Sequence, residues 1–193
     1  DLAKMIINQA RSIDRGAPGD DITCAVITVR EPRDLVLASG PPFHKEHDKE
    51  LVNRVMQFSG KKIVSGGTTA QIFSRELERK ITVDLKNWDR EIPPSSHMEG
   101  IDLVTEGMLT LNRAAVELEN RVPVEEIRSA SVRKFVEMIL QSDRIFFLVG
   151  TKINEAHQDP NIPAEIGIRR SIIHRIRQVL ENTYMKETEL SYL

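Results

Sequence analysis

The chain has a single cysteine, Cys24, among 193 residues. That excludes a disulfide framework and a cysteine zinc cluster, and it points to a reducing, cytoplasmic setting. Aromatic residues make up only 5% of the chain, and 27 basic side chains face 29 acidic ones for a net charge of −2. The basic surplus and interleaved aromatics of a nucleic-acid scaffold are therefore both missing, and no nucleic-acid partner is expected. No apolar run reaches the roughly 18 residues of a membrane span, so no membrane partner is expected either. Ten Gly and nine Pro are too few for a collagen-like or low-complexity chain. What is there in quantity is apolar residue, 40% of the total. A chain of this length buries a real core without staples, as one three-layer domain or two smaller ones.

Three phosphate or acyl-transfer signatures are also absent. Lys62 is not preceded by the Gly-x-x-x-x-Gly of a P-loop, no Gly-x-Gly-x-x-Gly follows an apolar run, and Ser65 lacks a Gly-x-Ser-x-Gly elbow. Classical nucleotide hydrolysis, dinucleotide chemistry and serine hydrolase chemistry have no support.

Periodicity gives the organisation. Leu2, Met5, Ile6 and Ile13 recur at helical spacing before Gly16-Ala17-Pro18-Gly19, and Ile22–Val29 reads as a strand rich in β-branched residues, with Cys24 as a small buried hydrophobe. After Pro32 short apolar runs alternate with amphipathic helices. Strands are predicted at 35–38, 62–65, 81–84, 101–105 and 145–150, the last being the most hydrophobic and expected at the centre. Helices are predicted between them: one carrying Leu51 to Phe58, one starting near Thr68 or Thr69, one from Met108 to Leu118, one capped by Ser131, and one near 163–183 with Ile166, Ile172, Ile173, Ile176, Val179 and Leu180 inward. Residues 86–100 read as a long irregular loop and 119–129 as a charged, exposed or disordered excursion. Such alternation predicts an α/β fold: a mostly parallel sheet with helices on both faces, three layers in all. Residues 1–31 stand outside it, as a helix and strand belonging to something else. The chain opens at Asp1, inside a helical pattern, and is expected to be part of a longer protein.

Gly19-Asp20-Asp21-Ile22-Thr23, after a helix and at the start of an apolar run, resembles the C-terminal signature of metal-dependent PPM-type Ser/Thr protein phosphatases, in particular their SpoIIE-like branch. The resemblance covers about 31 residues. It implies that 1–31 are the last helix and strand of such a domain, that Asp20 is a metal ligand, that Asp21 sits where the family tolerates Asn, and that Thr23 supports the turn. It also implies a parent enzyme using Mn or Mg to hydrolyse a phosphoprotein. Two adjacent cations need several carboxylates. The upstream acidic motifs are absent here, so this chain is expected to carry no cofactor of its own and to be inactive by itself. Residues 32–193 then form an appended α/β domain.

Within that domain the ends of the strands hold the candidate site. Open parallel sheets bind ligands at their carboxyl edge. There the sequence places Gly66-Gly67-Thr68-Thr69, Glu106-Gly107 and Gly150-Thr151. Glycines admit close backbone approach, and helix-start amides with threonine hydroxyls attract an anion; a tight strand-to-helix turn with a Thr cap explains the same residues. Glu106, His157 and Asp159 are the candidates for acid–base chemistry, with Glu155 beside them and Glu165 near the last helix. A solvated loop turning at Asp159-Pro160 is the alternative. His44 and His47 have the spacing of a zinc pair without a third ligand, and His97 and His174 have no pattern. Arg169, Arg170, Arg175 and Arg177 make the last helix basic, as an anion contact or as a solvated face.

The expected function is thus a regulatory or ligand-sensing region of a SpoIIE-like phosphatase, taking a small anionic ligand. The alternatives are an enzyme acting on a phosphorylated or nucleotide-like small molecule, or a docking or homodimerisation module.

Overall fold

A computed structural model describes residues 2–85, 91–152 and 164–193, and of 164–166 the backbone alone. The chain divides into two compact units, Asp1–Glu31 and Pro32–Leu193.

In the first unit, helix α1 (Leu2–Ile13) forms where the helical spacing predicts it. It closes on Gly16, at φ +81°, whose N–H donates to the Arg11 carbonyl at 2.8 Å. Its apolar stripe is solvent-facing: Leu2, Met5 and Ile13 are each more than half exposed. The strand expected at 22–29 does not form. β-Branched composition favours extended backbone, but a strand exists only by pairing, and none of the described residues pairs with this segment. Val29 is 93% exposed, and Cys24 is half-buried rather than buried in a sheet.

The second unit runs β1 (Asp34–Ser39), α2 (Asp48–Met56), β2 (Lys61–Ser65), α3 (Gly67–Leu77), β3 (Thr82–Val83), β4 (Ser96–Met98), β5 (Ile101–Thr105), α4 (Met108–Glu119), α5 (Ala130–Gln141), β6 (Arg144–Val149), α6 (Ala164–Asn182) and β7 (Glu187–Tyr192). The strands make one seven-stranded sheet in the order β3-β4-β5-β2-β1-β6-β7. β5, β2, β1, β6 and β7 are mutually parallel, while β4 is antiparallel to both its neighbours. Leu35 to Ser39 are buried without alternation, as a parallel strand covered on both faces requires.

Two cores follow. Leu35, Leu37, Ile63, Ile145 and Phe147 pack under α4, α5 and α6. Val36, Ala38, Val64 and Leu148 pack under α2 and α3. Helices therefore cover both faces, and the α/β three-layer fold is as expected.

Several details differ from expectation. β6 has neighbours on both sides but lies second from the edge, because β7 adds a strand beyond it. The 86–100 stretch is not wholly irregular: Ser96–Met98 pairs back on β5 through Glu99-Gly100, a two-residue connection with Gly100 at φ +80°, short enough only for an antiparallel hairpin. Segment 119–129 is ordered, with a 3₁₀ turn at Val124–Glu126 and Ile127 fully buried in the core. Ser129, not Ser131, precedes α5; the Ser131 hydroxyl instead donates to the Pro93 carbonyl at 2.9 Å. The inward side of α6 holds at Ile172, Ile173, Ile176 and Leu180, with Val179 half-buried. The expectation for Ile166 lies outside the described side chains.

The burial of Ile127 is testable. Ile127→Ala is expected to lower the unfolding free energy by about 2–4 kcal/mol through lost burial plus a cavity. Chemical denaturation with no change in midpoint would show that the segment is not anchored there.

Candidate functional site

Strand β1 leads to β2 and β5 on one side, and the chain then crosses back to place β6 on the other. The order of strands reverses at β1, and ligands of open α/β sheets collect at the carboxyl ends beside such a reversal. A cavity of about 270 Å³ lies there, lined by Ser39, Gly40 and Pro41 after β1, Ser65 to Thr69 after β2, Glu106 to Met108 after β5, and Arg169 from α6.

Two strand-to-helix turns build its wall. Gly66 and Gly107 have φ of +124° and +132°, backbone conformations that L side chains rarely adopt. They also abut: a Cβ on Gly107 would come 2.9 Å from the Gly66 Cα. Gly66 N–H donates to the Thr105 carbonyl at 3.0 Å and Gly67 N–H to the Glu106 carbonyl at 2.9 Å, which ties one turn to the other. Both helices therefore begin side by side, and the first-turn amides of α3 and α4 have no acceptor within their own helices. Each helix start carries roughly half a positive charge. Thr69, buried, does not cap its own helix. Its hydroxyl accepts the Gly40 N–H at 2.9 Å and pins the β1 loop to α3.

The floor is a row of hydroxyls. Ser39 pairs in register with Ser65, and Ser65 with Thr105, so their side chains leave the sheet on one face. All three are at most 2% exposed. Thr105 donates to the Ser65 oxygen at 2.9 Å, which leaves the Ser65 hydrogen available. Ser39 lines the cavity, and no hydrogen bond to another described residue engages its hydroxyl. The residue is 2% exposed, so what the hydroxyl can reach is the cavity.

The arginines of α6 separate by role. Arg175 donates to both Glu119 oxygens, at 2.9 and 2.6 Å, and to Asn112. Arg177 donates to Thr188, and Arg170 lies 4.8 Å over the Tyr192 ring. Arg169 lines the cavity, its guanidinium close enough to Gly40 that a Cβ there would sit 2.6 Å from it.

The residues singled out from the sequence therefore divide. Gly66, Gly67, Thr68, Thr69, Glu106 and Gly107 come together on the cavity. Gly150 and Thr151 do not line it. Gly150 has no room for a side chain against the Gly40 and Pro41 carbonyls, and Thr151 holds Leu193 through its N–H and hydroxyl, at 2.9 and 2.8 Å. His157 and Asp159, with Glu155, lie outside the described residues, as does the Glu165 side chain. His44 and His47 are 6.0 Å apart, ring to ring, at the 3₁₀ turn Lys45–His47, and His97 and His174 are exposed. Asp20 and Asp21 are exposed, with Asp21 N–H donating to the Asp20 carboxylate at 2.8 Å. Among the described residues no three His, Cys, Asp or Glu side chains are placed to share a metal, so the carboxylates described do not fit a two-metal centre. Ser39, Gly40, Pro41 and Arg169 are the cavity residues that the motifs around Gly66 and Gly107 do not indicate.

A larger cavity, about 570 Å³, opens between α4 and α6. Its charged lining group is Arg175, already committed to Glu119. Among the described residues no helix is long and apolar enough to cross a membrane. Comparison with protein-family models, with curated proteins and with solved structures gives no match to this chain.

Hydrogen bonds from Arg175 hold the Glu119 carboxyl below its ordinary value. A carboxyl depressed in the folded state stabilises it above the unfolded pKa, and that contribution is lost as pH falls through the folded pKa. Arg175→Gln is expected to cost at most about 1 kcal/mol at pH 7, as for other exposed pairs. The gap between variant and parent should close as the medium is acidified below the ordinary carboxylate range. Melting curves in which the gap persists at acid pH would assign the effect to packing instead.

Proposed function

We propose that residues 32–193 form a sensing domain that binds a small anion at the carboxyl ends of β1, β2 and β5, and that it is appended to the end of a SpoIIE-like, PPM-type phosphatase domain represented by residues 1–31. The observation that carries the first half is convergence on one cavity: two glycine-led helix starts, the Ser39 and Ser65 hydroxyls, and the Arg169 guanidinium. Each favours negative charge, and together they donate from several directions, as phosphate recognition requires. The second half is supported by Gly19-Asp20-Asp21-Ile22-Thr23 and by the unit boundary at 31.

In this reading the parent enzyme supplies the metal and the phosphoprotein chemistry, and the appended domain reports an anion to it. No hydrolytic step is assigned to the present chain, because Asp20 and Asp21 offer too few carboxylates to hold two cations.

Gly67 provides the test. A Cβ there meets nothing within 4 Å, and its φ is not in the left-handed region, so Gly67→Asp is sterically neutral. A carboxylate in the first turn of α3 favours the helix by about 0.3–1 kcal/mol. The same carboxylate repels a bound anion, and inorganic phosphate is expected to bind about tenfold more weakly. The variant should therefore melt no lower than the parent while losing the thermal stabilisation that phosphate gives the parent. Equal phosphate shifts in both proteins would remove this cavity as the anion site.

A further inference from the structure

We propose that the ligand is a phosphate monoester of a small polyol or sugar, whose phosphate sits on the Ser39–Ser65 floor and whose hydroxyls are read by Glu106. The inference rests on the anion-binding reading above and adds the class of molecule to it.

Ser39 anchors the phosphate end. Its side chain is buried, it faces the cavity, and its hydroxyl has no partner among the described residues, a position that an acceptor oxygen would complete. Ser65 stands beside it in register, with its hydrogen left free by the bond it receives from Thr105. The first-turn amides of α3 and α4 lie on the same wall, and the Arg169 guanidinium lines the cavity beside Gly40. The groups that hold the anion thus come from four separate elements, which gives the site a direction as well as a charge.

Glu106 gives the other end. It is exposed, lines the same cavity, and is the one acidic residue among the described lining residues. Toward a bare inorganic anion its carboxylate is repulsive. Toward an ester carrying hydroxyls it is an acceptor, and its exposure puts it at the solvent side of the cavity, as that of Thr68 does. Volume and lining narrow the choice further. About 270 Å³ lies below the 300–1,000 Å³ of pockets for larger ligands. None of the described lining residues is aromatic, so a nucleobase has no stacking face here.

Titration calorimetry on the full 193-residue chain at fixed ionic strength tests this, with inorganic phosphate, glycerol 3-phosphate, ribose 5-phosphate and AMP as probes. At least one of the two polyol phosphates is expected to bind about tenfold more tightly than inorganic phosphate, the worth of a hydrogen bond or two at the rim. AMP should bind no more tightly than phosphate. Glu106→Gln should weaken the polyol phosphate about tenfold and tighten inorganic phosphate, because one exchanges a charged acceptor for a weaker neutral one and the other loses a repulsion. Ser39→Ala should weaken every probe about tenfold. Melting of each variant without ligand separates these effects from misfolding, and Ser39→Thr, which keeps the hydroxyl, serves as the second variant at the floor. If inorganic phosphate binds and the polyol phosphates bind no better, or if Glu106→Gln moves both the same way, the ligand class is wrong and the anion site stands. AMP as the tightest probe also overturns the class. If no probe binds, the anion site falls with it.

Discussion

The pairing of β1 to two parallel neighbours is the constraint on which the rest of the second unit depends. β1 carries apolar residues on both faces, Leu35 and Leu37 toward one helical layer and Val36 and Ala38 toward the other. A strand of that kind is stable only in the interior of a covered sheet. Once β2 occupies one side, the later β6 must take the other, and the chain has to cross the sheet to reach it. The reversal leaves the loop after β1 flanked on both sides at its carboxyl end. The cavity is thus a by-product of burying a six-residue strand, and its floor consists of the strand residues that happen to come last: Ser39, Ser65 and Thr105.

Local signals in the sequence were sufficient for the larger elements. Helices α2 to α6 follow from apolar spacing, and the strands β1, β2, β5 and β6 from short apolar runs between them. Elements stabilised mainly by their neighbours were not legible. β7, Glu-Thr-Glu-Leu-Ser-Tyr, is polar at alternate positions and owes its place to the ladder with β6. β4 is three residues long, and its visible signal is the Glu99-Gly100 pair before an apolar run. The converse holds at 22–29, where composition suggests a strand but no ladder among the described residues holds it. Ile127 was hidden by the charge around it, since a single apolar residue has no period to detect.

The site divides along the same line. Gly66 to Thr69 and Gly107 are strand-to-helix turns, and glycine next to a helix start is visible in one dimension. Ser39 and Arg169 lie 130 residues apart, and only the crossover from β1 to β6 and on to α6 brings them to one cavity. The basic character of α6 was visible as a whole. Which arginine lines the cavity was not, because only the packing of α6 on the sheet decides it.

The bond between the Gly40 amide and the Thr69 hydroxyl has a spectroscopic consequence. Backbone amides in a sheet are shielded from exchange by carbonyls of neighbouring strands, but this one is shielded by a side chain from a different element. Its proton exchanges with solvent only when the loop after β1 and the first turn of α3 part. One glycine resonance, in a region of the amide spectrum where glycines are easily picked out, therefore clocks the opening of the cavity mouth independently of the unfolding of the sheet beneath it.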